Sequence, residues 1–171
     1  IAYVTGGKAS PRILLVTDLQ SPGGVNSDPR LGLQASGFNT FDVADHGSGQ
    51  QGALNLQTVS FTNYDVVVVA SDFGGWLRQD ELDILNARRN EIVAYVNGGG
   101  GLVALAESGQ NIHSGGTIQT TTHSRYGFLP FLTSNVAHDQ ANTANTLTPA
   151  GLALGLTNSD LNGNFTHNYF S

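Results

Sequence analysis

The chain of 171 residues carries seven basic and thirteen acidic side chains, a formal net charge of -6, with 12% of residues charged and neither cysteine nor methionine. No basic cluster exceeds the pair Arg88-Arg89, so the electrostatic footprint of a nucleic-acid binder is missing. The lack of cysteine excludes disulfides, thiolate catalysis and thiolate metal ligation together, and no apolar stretch approaches the ~20 residues needed to span a bilayer. Any nucleophile must be oxygen.

The length fits one domain over residues 1–171, burying roughly two thirds of its unfolded surface. Lys8 is the single lysine, while Gly, Asn, Thr, Ser and Gln abound, so neutral polar groups must solvate the surface. That composition points to an exported bacterial protein, extracellular or periplasmic. The start at Ile1 without a signal-peptide pattern, and an end at Phe170-Ser171 inside a strand-like pattern, read as a trimmed product with an incomplete C-terminus.

In chain order, Ile1 to Val4 reads as a loose strand or arm. Arg12 to Asp18 is a β-branched apolar run closed by an acid and then by Ser21-Pro22-Gly23-Gly24, as a buried strand with a loop at its carboxyl end would be. Asp28-Pro29 offers a cap and a first-turn proline for a short helix through Leu31 and Ala35 to Gly37. Asn39 to Asp45 alternates at period two, as a strand nearer the sheet edge does, and Gly47 to Gly52 is a polar loop. Tyr64 to Ala70, with four consecutive valines, is poor helix material and reads as a strand buried on both faces. After the loop Ser71 to Trp76, an apolar stripe of Leu82, Leu85, Ile92, Val93 and Val96 predicts a helix over Gln79 to Asn97, bent near Asn90 and closed by Gly98. Gly101 to Ala106 then forms a further buried strand whose tip presents Glu107-Ser108-Gly109.

This order predicts an α/β fold with a parallel sheet and helices on both faces. Residues 11–110 form that core. Residues 111–171 dissolve into Thr, Ser, Gly and Asn, an irregular, partly β excursion covering one end of the sheet, with an apolar island at Tyr126 to Leu132 and short strands at Thr117 to Thr122 and Phe165 to Phe170.

Gly101-Leu102-Val103-Ala104-Leu105-Ala106-Glu107-Ser108-Gly109, preceded by Val96-Asn97-Gly98-Gly99-Gly100 and by the strand Val66 to Ala70, resembles the class I glutamine amidotransferase-like superfamily, flavodoxin-like in fold. The similarity is closer to exported bacterial and trehalose-utilisation-type members and covers residues 11 to 110. In catalytic members the position of Glu107 holds a cysteine on a strained strand-to-helix turn, served by a histidine from later in the chain. Here that thiol is replaced by a carboxylate, which puts amidotransferase chemistry out of reach.

Ligands of open α/β sheets bind beyond the carboxyl ends of the strands, where the loops Asp18 to Gly24, Ser71 to Trp76 and Glu107 to Gly116 should converge. Glu107 is the candidate general base, with Ser108 as an oxygen nucleophile and His123 as its base. Against this, Ala106-Glu107-Ser108-Gly109-Gln110 does not meet the Gly-x-Ser-x-Gly elbow, and Ser108 reads first as a cap of the following turn. Asp18, Asp72, Trp76 and His113 are the candidate ligand-binding residues; Trp76 with Phe73 could stack a sugar or pack over the sheet end. A carboxylate pair of Glu107 with Asp18 or Asp72 could hold a cation, but His46, His113, His123, His138 and His167 lack the spacing of a helical zinc pair and read mostly as surface groups. Asn158 to Asn164 starts like a calcium loop, yet Tyr169 stands where the bidentate acid belongs. No metal and no cofactor is expected. Gly98 to Gly101 precedes a strand, so it is no phosphate loop.

Two functions follow as expectations. The first is a non-catalytic amidotransferase-like domain of an exported or cell-surface protein, acting in binding or assembly, with self-association, another surface protein, or a small-molecule or carbohydrate ligand as partner. The second is a hydrolase or lyase using Glu107 with a tail histidine.

Overall fold

The run Ile13 to Val16 and the four valines Val66 to Val69 are the centre of the molecule, all eight side chains buried. The structure, a computed structural model, describes residues 7–19, 28–47, 50–71, 76–105, 127–131, 135–141, 146–153, 155–161 and 166–170. These divide into two compact units, one up to Thr133 and one from Ser134. The expected strands at Ile1 to Val4 and Thr117 to Thr122 lie outside the described residues.

The first unit is a five-stranded parallel sheet. Its strands are β1 (Ile13–Val16), β2 (Asp42–Asp45), β3 (Leu54–Asn55), β4 (Val66–Val69) and β5 (Gly101–Ala104), in the spatial order β3-β2-β1-β4-β5. Setting aside the two-residue edge strand β3, the order 2-1-3-4 is that of a flavodoxin-like doubly wound sheet. Register is continuous across the centre, with Leu15 beside Val43 on one side and Val68 on the other.

Helix α1 (Pro29–Ala35) links β1 to β2, capped as expected by Asp28, whose carboxylate accepts the Arg30 N–H. Its buried contact is Leu33, whereas Leu31, two residues earlier and so about 200° around the helix, is 58% exposed. Helices α2 (Gln79–Ala87) and α3 (Arg89–Asn97) link β4 to β5. The bend falls at Arg88, not Asn90, because the Arg88 guanidinium is drawn aside to Leu56 O and Val59 O and lies over the Phe61 ring. Right-handed crossovers that run in opposite directions from the sheet centre put α1 on one face and α2–α3 on the other.

The glycine run after α3 builds a Schellman turn. Gly99 N–H donates to Val96 O and Gly100 N–H to Tyr95 O, and Gly99 takes the left-handed conformation at φ +95°. Gly98, the expected closure, is the last half-helical residue at φ −79°. β5 then emerges at the sheet edge; Gly101 is buried but Leu102, Val103 and Ala104 are half-buried, so it is less enclosed than its apolar sequence predicts. Phe128 and Leu129, from the apolar island, are buried in the same core as β1 and β4.

The second unit pairs β6 (Asn135–Ala141) with β7 (Thr166–Phe170) in antiparallel register, Val136 beside Tyr169, with an irregularity between Ala137 and Ala141. Short helices α4 (Pro149–Ala153) and α5 (Asn158–Leu161) lie between them in sequence. β7 matches the expected strand at Phe165 to Phe170. β6, rich in polar residues, carries little sequence signal of a strand.

Candidate functional site

The chain leaves β1 toward β2 and leaves β4 toward β5, in opposite directions, so the crevice of this sheet opens at the carboxyl ends of β1 and β4. Asp18 follows β1 there, Asp45 and His46 end β2, and Arg78 and Glu81 open α2 after β4. The Asp18 N–H donates to Trp76 O at 3.2 Å, joining two of the loops expected to converge.

Asp18, Asp45 and Glu81 are fully buried, and one ligand-capable atom from each, with one from His46, lie within 4.8 Å of one another. Asp45 is held by the backbone, its Oδ2 accepting the Leu19 N–H at 2.9 Å and its Oδ1 the Gly47 N–H at 2.8 Å. Glu81 is the third residue of α2, and its Oε2 accepts the Arg78 N–H at 2.9 Å, the carboxylate half of a capping box. Its Oε1 turns the other way, accepting the His46 N–H at 3.2 Å and meeting His46 Nδ1 in a short contact. His46 Nδ1 also lies 3.1 Å from Asp45 Oδ1, and Arg78 Nη1 donates to Asp18 Oδ2 at 3.1 Å.

Burial pushes Glu81 up to about 6, against the pull of the His46 contact and the Arg78 N–H. Burial also works against the charged form of His46, but the hydrogen bond to Glu81 and the charges of Glu81, Asp45 and Asp18 outweigh it and hold His46 above the usual histidine range. The two groups are in contact and therefore titrate as a pair, each holding its proton to higher pH than it would in the unfolded chain. Chemically, three carboxylate donors and one imidazole at this spacing can bind a cation or pass a proton.

Of the expected site residues, Asp18 belongs to this cluster. Trp76 is buried against Leu19 and Ala53, with the Arg30 guanidinium carbon 5.7 Å from its ring centroid. Glu107, Ser108, Asp72, His113 and His123 lie outside the described residues. Sequence reading passed over Asp45, His46 and Glu81. His46, grouped with the surface histidines, is bonded into the buried cluster, its side chain 24% exposed. The available signals were an Asp-His pair ending a strand and an acid in the first turn of the helix after the next main strand.

The fold and the cluster define a parallel α/β domain with a carboxylate–histidine site at its switch point. Comparison with protein-family models, curated proteins and solved structures finds no match to the chain.

Proposed function

We propose that the chain is a non-catalytic amidotransferase-like domain of an exported bacterial protein, and that it works by binding a small ligand at the carboxyl edge of its sheet. The cysteine-free sequence motivates the non-catalytic part. The observation that carries the binding part is the buried cluster itself: Asp18, Asp45, His46 and Glu81 stand at the crevice of a doubly wound sheet and are fixed by backbone N–H groups and by Arg78. Polar groups held rigidly at such an edge suit recognition, because little ordering remains to be done when a ligand arrives.

Ligand-observed NMR with a panel of oligosaccharides and small carboxylates, paired with hydrolysis assays on ester, amide and glycoside substrates, tests this reading. Saturable binding without turnover supports it. Turnover that disappears in Glu107→Gln and in His123→Asn overturns it in favour of the hydrolase.

A further inference from the structure

We propose that a cleft at the amino end of the sheet, walled by Lys8, Arg12 and the glycine turn after α3, binds a small organic monocarboxylate through the Arg12 guanidinium. The inference goes beyond the binding reading above and does not rest on it, since the carboxylate–histidine cluster lies at the opposite end of the same strands.

The topology assembles the cleft. All five strands are parallel, so the residues that precede them gather at one end: Arg12 before β1, Asp65 before β4 and Gly100 before β5. Between them lies a cleft of about 500 Å3, within the range of small-ligand sites.

Asp65 organises the charge there. Its Oδ1 accepts from Lys8 Nζ at 2.6 Å and its Oδ2 from the Arg12 N–H at 2.8 Å. The Asp65 and Val66 N–H groups return bonds to Arg12 O at 2.9 and 3.3 Å, so the backbone beneath the Arg12 side chain is fixed from both sides. Lys8 and the Arg12 N–H also hold Asp65 below the usual carboxylate range, and it stays ionised at neutral pH. Both carboxylate oxygens are thereby occupied. The guanidinium is not: its Nε comes only to 3.9 Å from Asp65 Oδ2, beyond hydrogen-bond reach, and it makes no hydrogen bond among the described residues.

Charge selects the ligand. Two cations and one carboxylate line the cleft, which leaves one positive charge in a chain whose net charge is -6. A monocarboxylate balances that charge and matches the guanidinium fork with two parallel hydrogen bonds, whereas a phosphate dianion overshoots it. The negative end of α3 lines the same cleft, but the Ala94, Tyr95 and Val96 carbonyls are taken by the N–H groups of Gly98, Gly100 and Gly99, which blunts its repulsion.

The remaining wall has little polar side chain. The Tyr95 ring stands behind Gly100, where a Cβ would come within 2.2 Å of it. Bare backbone over an aromatic ring suits the flat body of an organic acid.

The test is a two-dimensional 1H–15N NMR titration of the full chain with benzoate, with benzamide as its uncharged counterpart and inorganic phosphate as the other anion. The expected result is saturable shifts at the amides of Arg12, Asp65 and Gly98 to Gly100, no response to benzamide, weaker binding of phosphate, and at least about tenfold weaker benzoate binding in Arg12→Gln. That side chain is 65% exposed and its backbone bonds survive the change, so the variant should fold; Arg12→Lys keeps the charge without the fork and should fall between the two. Absence of saturable shifts, benzoate binding unchanged in Arg12→Gln, or benzamide or phosphate binding as well as benzoate overturns the inference. Benzoate shifts confined to the amides of Leu19 and Asp45 to Gly47 also overturn it and favour the carboxyl-edge reading; shifts confined to the amino end support it whatever becomes of that reading.

Discussion

His46 and Glu81 are 35 residues apart in sequence and meet through both the backbone N–H and the ring Nδ1 of the histidine, so that a single carboxylate oxygen ties the end of β2 to the first turn of α2. The tie depends on a proton. Glu81 is pushed up from 4.5 to about 6, and His46 is raised above 6.5, so the folded chain binds protons more tightly than the unfolded chain at both groups. The stabilisation is therefore present below the unfolded values and is lost as pH rises through the folded ones.

Urea melts should accordingly show stability falling as pH rises above 4.5, through about 6 and on through the raised folded value of His46, by about 1 to 2 kcal/mol more in the parent chain than in Glu81→Gln. The facing groups Asp18, Asp45 and Arg78 are common to both proteins, so the difference isolates the pair. Parallel pH profiles in the two proteins would show that Glu81 and His46 share no proton.

The turn after α3 yields an ordered series. A Cβ on Gly100 would lie 2.2 Å from Tyr95 Cε2, and that ring cannot swing away cheaply because it is buried in the core and its hydroxyl donates to Gly101 O at 3.1 Å. Gly100→Ala should cost about 1 to 3 kcal/mol or more through overpacking. Gly99→Ala meets no atom within 4 Å but must hold φ +95°, a strain of about 1 to 2 kcal/mol. Gly98→Ala, at ordinary φ with its nearest neighbour 3.3 Å away, should be mildest. Thermal denaturation ranks them; Gly98→Ala emerging as the worst would refute the account.

Arg88 carries a separate prediction. Its guanidinium donates to Leu56 O at 2.5 Å and Val59 O at 2.7 Å, pairs with Glu91 and covers the Phe61 ring at 4.2 Å, with a side chain only 10% exposed. Arg88→Met keeps the stem but removes every donor, and should cost about 2 to 4 kcal/mol. Arg88→Lys restores the charge without the planar fork and should recover only part of that loss. Equal stability of the lysine variant and the parent would mean that charge alone holds the bend.

The sheet was legible because burial on both faces leaves unmistakable runs: Ile13 to Val16 and Val66 to Val69 can hardly be anything but central strands. β6 was not legible, since Asn135, His138, Asp139 and Gln140 carry neither alternation nor an apolar run. The bend at Arg88 depends on carbonyls of Leu56 and Val59, about 30 residues away, and local periodicity does not record such partners. The same holds for the site. Asp18 was found because a strand ending in an acid is a local pattern, whereas nothing local sets Glu81 apart from any other first-turn acid, and His46 reads as a surface histidine until folding brings the two together.

Asp18 and Arg78 provide the sharpest test of how the cluster is balanced. Asp18 has no exposure and accepts from Arg78 Nη1 at 3.1 Å, while the Arg78 side chain is 24% exposed. Removing either partner breaks the same bond, but the consequences differ. Arg78→Met strips a cation from a corner that also holds Asp45 and Glu81, so it leaves Asp18 buried among like charges, the expensive way to break a buried pair. Asp18→Asn removes one of three crowded anions and leaves Arg78 with an outlet to solvent, which relieves repulsion as it breaks the bond. Urea denaturation should find Arg78→Met about 1 to 2 kcal/mol more damaging than Asp18→Asn, after discounting for the exposure of Arg78. A gap of the opposite sign would mean that the corner is balanced without Arg78.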